Sequence, residues 1–212
     1  MTLQLVIGSK NFSSWSLRAW LALEHVGVPY EERLISFGDP DWREQIQRVS
    51  PSGKVPFLVD GDLGIWDSLA IVEYLHEKFP AARLWPSEPA ARALARSAAA
   101  EMHSGFTALR SQMPMDLQAN APGKGHTPEA LADAARVLEI WRDCRSRHGA
   151  GGPYLFGAFG AADCFYAPVV FRFLSYGVPL DASARAYCDA LLVHPSVAKW
   201  REAALREPHV DH

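Results

Sequence analysis

The sequence of 212 residues contains only three cysteines, and their positions suit neither a disulfide framework nor a metal site. Cys144, Cys164 and Cys188 are far apart and form neither a CxxC pair nor the ligand spacing of a zinc site. We therefore expect three reduced cysteines in the core and no bound metal.

The sequence also lacks an excess of basic residues, a long apolar run and a secretory signal. Its formal net charge of −3 gives no basic surface of the kind that attracts nucleic acids or anionic membranes. No apolar run approaches the roughly 20 residues that cross a membrane. The N-terminus lacks the succession of basic, apolar and small residues that is typical of signal peptides. These absences predict a cytoplasmic protein that binds neither nucleic acid nor membrane.

The composition that remains is that of an ordinary globular protein, with 49% hydrophobic and 21% charged residues. Over residues 1–80, apolar runs and helical periodicities alternate in the order β-α-β-α-β-β-α, which predicts a small mixed sheet with helices against it. The expected strands span residues 3–8, 30–37, 54–59 and 65–66, and the expected helices span residues 17–26, 42–49 and 69–79.

The rest of the chain has only helical patterns. Residues 80–89 contain three prolines and are predicted to link two domains. Helices are then expected at 92–113, 128–148, 163–176, 181–193 and 196–206. The predicted fold class is α+β, with a mixed domain at residues 1–80, a linker at 81–89 and an all-helical domain at 90–212.

The stretch between the first strand and the first helix contains three serines, Ser13, Ser14 and Ser16. Serine is a preferred helix-capping residue, and these hydroxyls would lie among free backbone N–H groups at the positive end of the helix dipole. The sequence therefore predicts a place to hold an anion, although the serines would look the same if they only capped the helix.

Two later stretches also suggest ligand contacts. A proline at a strand start cannot donate to the ladder, and a cis bond between Val55 and Pro56 would turn the Val55 backbone outward, where an extended peptide can pair with it. Asp67 and Ser68 offer a carboxylate and a hydroxyl at a helix start, which suits the ammonium and carboxylate of a zwitterion. The alternative is an ordinary helix cap, with Ser68 in the capping position.

Together these pieces resemble the glutathione transferase family. Ser13-Ser14-Trp15-Ser16-Leu17-Arg18 matches its catalytic turn, Lys54-Val55-Pro56 its peptide-binding cis-proline motif, and 67–75 the helix start that binds the γ-glutamyl group. The first domain looks like the thioredoxin-like domain of the family. The Ser-Ser-x-Ser-x-Arg form is closest to the zeta class, with some likeness to the tau class. Trp15 stands where zeta-class isomerases of maleylacetoacetate carry a cysteine.

The resemblance implies a homodimeric enzyme of detoxification that uses glutathione as a co-substrate, without a metal, and joins it to a small electrophile. Ser13 lies five residues before Arg18, the spacing of the activating serine in the zeta and tau patterns. We expect Ser13 to donate a hydrogen bond to the thiolate, with Ser14 in support and Ser14 or Ser16 capping the helix. Arg18 is expected to be a nearby positive charge or a structural anchor. Lys54, Val55 and Pro56, with Asp67 and Ser68, would bind glutathione.

A pocket for the electrophile is predicted between the two domains. Its candidate residues are Trp15, Met102, His103, Phe106 and Tyr166, each of which is equally consistent with a place in the core. Two other functions stay open, a glutathione-dependent cis–trans isomerase of the maleylacetoacetate type and a transferase-like binding module without activity.

Overall fold

A four-stranded mixed sheet forms the centre of the first domain in the computed structural model, which describes residues 3–208. The strands are β1 (Leu3–Gly8), β2 (Tyr30–Ile35), β3 (Phe57–Asp60) and β4 (Leu63–Trp66). Their order is β2-β1-β3-β4, with β1 parallel to β2 and antiparallel to β3, and β3 antiparallel to β4. All four predicted strands are present, but β2 ends at Ile35 and not at residue 37, β3 begins at Phe57 and not at residue 54, and β4 begins at Leu63 and not at residue 65.

Three helices complete this domain, α1 (Ser14–Val26), α2 (Trp42–Val49) and α3 (Ser68–Lys78). Most apolar side chains of α1, from Leu17 to Leu23, are buried because this helix packs against α3 on one side and against the second domain on the other. The thioredoxin-like β-α-β-α-β-β-α order is confirmed. Helix α1 therefore ties the start of the chain to the helical domain.

Six helices make up the described part of the second domain. They are α4 (Pro89–Ser104), α5 (Thr107–Gln112), α6 (Pro128–His148), α7 (Ala161–Tyr176), α8 (Ala182–Leu192) and α9 (Pro195–Leu205). Helix α7 is the central one, since it packs against α1, α4 and α8. The α+β class with a helical second domain is confirmed.

The single helix expected at 92–113 is wrong, because the chain breaks after Ser104. Gly105 packs so closely on α4 that a Cβ there would lie 2.8 Å from the Glu101 carbonyl oxygen. Phe106 then adopts φ 56°, in the left-handed region, and its ring is buried. Asp133 of α6 accepts a hydrogen bond from the Leu109 N–H at 2.9 Å, which stabilises the first turn of α5.

The buried cysteines agree with their predicted place in the core. Burial raises the pKa of Cys144 and of Cys188 to about 12, so both are held as thiols at neutral pH. Within residues 3–208, no cluster of three or more His, Cys, Asp or Glu side chains is placed to hold a metal ion. None of the helices in the same range combines the length and apolar character that a membrane crossing requires.

Candidate active site

A cavity of about 740 Å³ lies where the β1–α1 loop, the segment before β3 and the start of α3 meet. It brings together the three stretches that the sequence singles out. About 40 residues of chain separate the first stretch, which ends at Ser16, from the second, which begins at Lys54. The predicted site residues that line it are Ser13, Trp15, Lys54, Val55, Pro56, Asp67 and Ser68. Aromatic rings of Phe37, Trp42 and Trp66 form further parts of the wall.

The serines are arranged differently from the expectation that Ser14 or Ser16 caps α1. Ser13 itself is the N-cap, and its Oγ accepts a hydrogen bond from the Ser16 N–H at 3.3 Å. The Ser13 hydroxyl donates to Ser16 Oγ at 2.7 Å. That prediction is wrong because Ser14 and Ser16 lie within the first helical turn. The side-chain oxygen that reaches the free N–H groups belongs to the residue that precedes this turn.

Capping does not remove Ser13 from the cavity, since it lines the wall. Ser16 Oγ also accepts a hydrogen bond from the Gly8 N–H at 3.1 Å. Ser16 therefore keeps a partner if the Ser13 hydroxyl turns towards a ligand, and the Ser13 oxygen can still accept from the Ser16 N–H. Ser14 lies on the other side and accepts a hydrogen bond from Arg172 Nη2 at 3.3 Å.

The segment before β3 presents its backbone to the same cavity. The Val55–Pro56 bond is cis, as the sequence predicts. The register of β3 with β1 and β4 begins at Phe57, so the Val55 N–H and C=O take no part in the ladder. Lys54 is exposed at the rim. The edge of this segment is therefore available for an extended peptide.

The start of α3 combines a carboxylate with an unpaired hydroxyl. Asp67, not Ser68, is the N-cap, and its Oδ1 accepts hydrogen bonds from the Leu69 and Ala70 N–H groups at 2.8 and 3.4 Å. The expectation that Ser68 caps is wrong because Ser68 is already the first helical residue. Ser68 is fully buried, and among residues 3–208 its Oγ has no hydrogen-bond partner. A buried hydroxyl without a partner at a helix N-terminus is suited to an anionic ligand group.

Arg18 lies beneath this region as a fully buried cation. Its guanidinium carbon is 4.3 Å from the centre of the Trp15 ring and 5.3 Å from that of Phe165. In the part of the chain that the structure describes, none of its three guanidinium nitrogens has a hydrogen-bond partner. Burial lowers the pKa of Arg18, and repulsion from Arg172 and Arg110 lowers it further, while Asp67 acts in the opposite direction. Arg18 is thus a buried positive charge on α1, about one helical turn after Ser14.

The candidates for the electrophile pocket divide into two groups. Trp15 and His103 line a second cavity of about 500 Å³ beside the first one. His103 Nε2 lies 3.3 Å from Asp67 Oδ2, and the His103 ring meets Trp15 edge-on at 5.1 Å between centres. Burial lowers the pKa of His103, which favours the neutral imidazole.

Met102, Phe106 and Tyr166 belong to the core, and the prediction that they line the pocket is wrong. Met102 and Tyr166 are fully buried, and the Tyr166 hydroxyl donates to the Ala98 carbonyl at 3.0 Å. Phe106 packs in the same apolar cluster. Met102 and Tyr166 point inward because the faces of α4 and α7 that carry them pack on neighbouring helices.

Two arginines that the sequence did not single out lie in the second cavity. Arg110 of α5 and Arg172 of α7 both line it. Arg172 is the one basic residue among the buried residues of α7, which are mostly apolar, and a lone cation in an apolar helix is the signal that would have identified it. For Arg110 there is no comparable signal, because its position depends on the break between α4 and α5.

The β1–α1 loop is held in place by groups far along the chain. Glu207 accepts hydrogen bonds from the Lys10 and Asn11 N–H groups at 2.7 and 3.0 Å. The Asn11 side chain is buried, donates to Asp116 Oδ1 at 2.9 Å and accepts from the Leu117 N–H at 2.7 Å. The loop that ends at Ser13 is therefore fixed by the helical domain.

Replacing Asn11 by alanine is expected to lower the free energy of unfolding, because the Leu117 N–H loses its partner in a partly buried place. The expected loss is about 1–3 kcal/mol, measured by urea denaturation. Asn120→Ala is the matched control, since Asn120 is exposed. Equal stability of the two variants would contradict the anchoring role of Asn11.

Comparison with known proteins agrees with the family resemblance of the three motifs. Residues 12–78 match the profile described as "Glutathione S-transferase, N-terminal domain", and residues 87–203 match "Glutathione S-transferase, C-terminal domain". The chain is 30% identical over 179 residues to "Glutathione S-transferase 1" of Dianthus caryophyllus, which covers 80% of this chain and 77% of that protein. It is 36% identical over 109 residues to a "Probable maleylacetoacetate isomerase" of Caenorhabditis elegans, which covers 51% of this chain and about half (50%) of that relative.

A solved structure gives the same result for the fold. A glutathione transferase homologue from Burkholderia, crystallised with bound glutathione, superposes with a TM-score of 0.75 and covers 98% of this chain and 100% of its own. Its sequence identity of 23% supports a shared fold and nothing finer. The two domain profiles and the Dianthus relative cover most of the chain. The chain therefore belongs to the glutathione S-transferase family.

Proposed function

We propose that this protein binds glutathione in the larger cavity and joins the glutathione sulfur to a small electrophile. The observation that carries the proposal is the convergence of Ser13, the Val55 backbone and the Asp67–Ser68 pair on one cavity. The γ-glutamyl ammonium would lie at Asp67 and its carboxylate at Ser68, whose buried hydroxyl has no protein partner within residues 3–208. The cysteinyl backbone would pair with Val55, which directs the sulfur to Ser13.

The chemistry follows from the stabilisation of a thiolate. A free thiol has a pKa of about 8.5 and is mostly protonated at neutral pH, while only the thiolate attacks. A hydrogen bond from the Ser13 hydroxyl favours the charged sulfur, as do the N-terminus of α1 and the positive charge of Arg18. The thiol proton passes to solvent, a carbon–sulfur bond forms, and the leaving group departs with its electron pair. Ser14 would support Ser13 from the adjacent position.

A second candidate function is the glutathione-dependent cis–trans isomerisation of a maleylacetoacetate-type substrate. The similarity to the Caenorhabditis elegans protein favours it, although that match spans about half of the relative. In this reaction the thiolate adds to the double bond, rotation follows, and the sulfur is expelled unchanged. Trp15, in place of the zeta-class cysteine, favours the transferase as the main activity.

The two reactions differ in whether glutathione is consumed. We expect turnover of a chlorodinitrobenzene with loss of one thiol for each chloride released, and slower or no isomerisation of maleylacetone. Thiol titration and chloride release measure the first reaction, and absorbance of the isomerised product measures the second. Isomerisation of maleylacetone without transfer to the aryl chloride would reverse this assignment. Failure of the protein to bind a glutathione resin would favour the binding module instead.

We also propose that the enzyme works as a cytoplasmic homodimer. Support comes from the family to which the chain belongs. Sedimentation analysis of the purified protein measures its mass in solution and tests this part of the proposal.

A further inference from the structure

The backbone of the β1–α1 loop is bonded to side chains that lie on α9 or follow it, far along the chain. Glu207 Oε1 accepts a hydrogen bond from the Lys10 N–H at 2.7 Å, and Glu207 Oε2 accepts one from the Asn11 N–H at 3.0 Å. Trp200 Nε1 donates to the Lys10 carbonyl at 2.9 Å. Both peptide groups that flank Lys10 are therefore bonded to the segment that ends at Glu207.

The Glu207 carboxylate uses both of its oxygens for these two N–H groups. Within residues 3–208, no cationic side chain forms an ion pair with Glu207, and the Lys10 ammonium pairs with Glu32 at 2.6 Å instead. Gln118 Nε2 donates to the Glu207 carbonyl at 2.9 Å, which fixes the backbone that carries the carboxylate. Hydrogen bonds to an ionised acceptor are about twice as strong as neutral ones. These contacts make Glu207 an anchor for the loop.

The anchored peptide groups lie two residues before the serine that reaches the larger cavity. The loop is a tight turn, in which the Ser13 N–H donates to the Ser9 carbonyl at 2.8 Å. Phe12 and Ser13 line the larger cavity, whereas Glu207 is not among the described residues that line either cavity. A shift of the Lys10 and Asn11 peptide groups would therefore move Ser13, although Glu207 itself touches no ligand there.

The Ser13 hydroxyl depends on a fixed backbone because it has two alternative acceptors. It donates to Ser16 Oγ at 2.7 Å, and in the proposed function it turns to the glutathione sulfur. If the backbone stays in place, this change needs only a rotation of the side chain. A displacement of about 1 Å, caused by a substitution far from the chemistry, can lower a rate about a hundredfold. The contacts that hold the loop should therefore affect the chemical step.

We propose that Glu207 is a positioning residue of the transferase reaction, which fixes the β1–α1 loop so that the Ser13 hydroxyl reaches the thiolate. The inference rests on the proposed function for the role of Ser13. Glu207 acts through the backbone, and it neither takes a proton nor forms a bond in the reaction. Stabilisation of the thiolate therefore depends on a carboxylate outside both cavities.

Glu207→Ala should raise the pKa of the bound glutathione thiol by about one pKa unit and lower kcat near pH 7 about tenfold. The KM for glutathione should change little, because the backbone of Val55 and the Asp67–Ser68 pair lie on other segments of the cavity wall. Ultraviolet absorbance of the thiolate against pH measures the first effect, and turnover of a chlorodinitrobenzene measures the second. Glu202→Ala is the matched control, since Glu202 is exposed on α9 and pairs with Arg206.

The double variant Ser13→Ala/Glu207→Ala separates positioning from a general weakening of the fold. If Glu207 acts through Ser13, Glu207→Ala should have no further effect on the thiol pKa once residue 13 is alanine. A general weakening of the fold would lower activity by the same factor with either residue at position 13. Such equal factors, or a thiol pKa that Glu207→Ala leaves unchanged in the protein with Ser13, would overturn the inference.

A measurement without glutathione keeps this inference distinguishable from the proposed function. Hydrogen exchange of the Lys10 and Asn11 amides, followed by nuclear magnetic resonance, should be about tenfold faster in Glu207→Ala than in the wild type. The amide of Leu21, within α1, should exchange at the same rate in both. Equal protection of the two loop amides in both proteins would overturn the inference. Faster exchange in a protein that does not bind glutathione would keep the loop contact but remove the transferase, and with it the role of Glu207 in the reaction.

Discussion

Replacing Ser13 by alanine is expected to raise the pKa of the glutathione thiol bound in the larger cavity and to lower turnover near pH 7 about a hundredfold. The hydroxyl stabilises only the charged sulfur, so its loss favours the neutral thiol. A charged hydrogen bond of about 1.5–3 kcal/mol corresponds to roughly one or two pKa units. Glutathione affinity should change little, because the γ-glutamyl and backbone contacts are elsewhere in the cavity.

The ultraviolet absorbance of the thiolate, followed against pH with glutathione bound, measures this shift directly. Ser14→Ala is the informative comparison, and Ser97→Ala is the control, since Ser97 is exposed on α4. Ser13 is also the cap of α1, so Ser13→Ala should lose about 1 kcal/mol of stability, to be checked by denaturation at the assay temperature. A titration that moves in Ser14→Ala but not in Ser13→Ala would mean that Ser14 is the donor. A titration that moves in neither would exclude a serine hydroxyl from thiolate stabilisation.

Asp67→Asn is expected to weaken glutathione binding about ten- to hundredfold without unfolding α3. Asparagine caps helices as well as aspartate does, so the hydrogen bonds to Leu69 and Ala70 can be kept while the charge is lost. What disappears is the attraction between the carboxylate and the ammonium of glutathione. Calorimetric titration measures the affinity, and Asp62→Asn, in the exposed turn between β3 and β4, is the control.

Ser68→Ala separates binding from folding at the same helix start. Because the Ser68 hydroxyl has no partner in the described part of the protein, its removal should leave the free energy of unfolding unchanged or slightly higher. Glutathione affinity should nevertheless fall about tenfold, since a donor to its carboxylate is lost. Unchanged affinity in both Asp67→Asn and Ser68→Ala would mean that the start of α3 does not bind the γ-glutamyl group.

Most of the fold could be predicted because local patterns decide it. The limits of α2 are those given by its periodicity, and α7 begins two residues before its predicted start at Asp163. The break between α4 and α5 could not be predicted in this way. It depends on the close packing of Gly105 and on the contact from Asp133 of α6, neither of which appears in a helical periodicity. The predicted N-caps of α1 and α3 were wrong by one residue or more. Each helix start has several neighbouring Ser or Asp residues that are able to cap, and the backbone conformation decides which of them does so.

The candidate site was predictable as far as its motifs were local. Ser13, the Val55–Pro56 step and Asp67–Ser68 each lie at an element boundary, and the structure brings them to one cavity. Arg172 and Arg110 were missed because tertiary packing alone brings them near Trp15. Met102 and Tyr166 were misassigned because helical spacing shows that a face is buried, but not whether a cavity or another helix covers it.

The most direct test of this account is a crystal structure of the protein with glutathione. We expect the sulfur within hydrogen-bond distance of Ser13 Oγ, the γ-glutamyl ammonium at Asp67, its carboxylate at Ser68, and the cysteinyl backbone paired with Val55. Glutathione bound outside the larger cavity, or within it with the sulfur away from Ser13, would contradict the account.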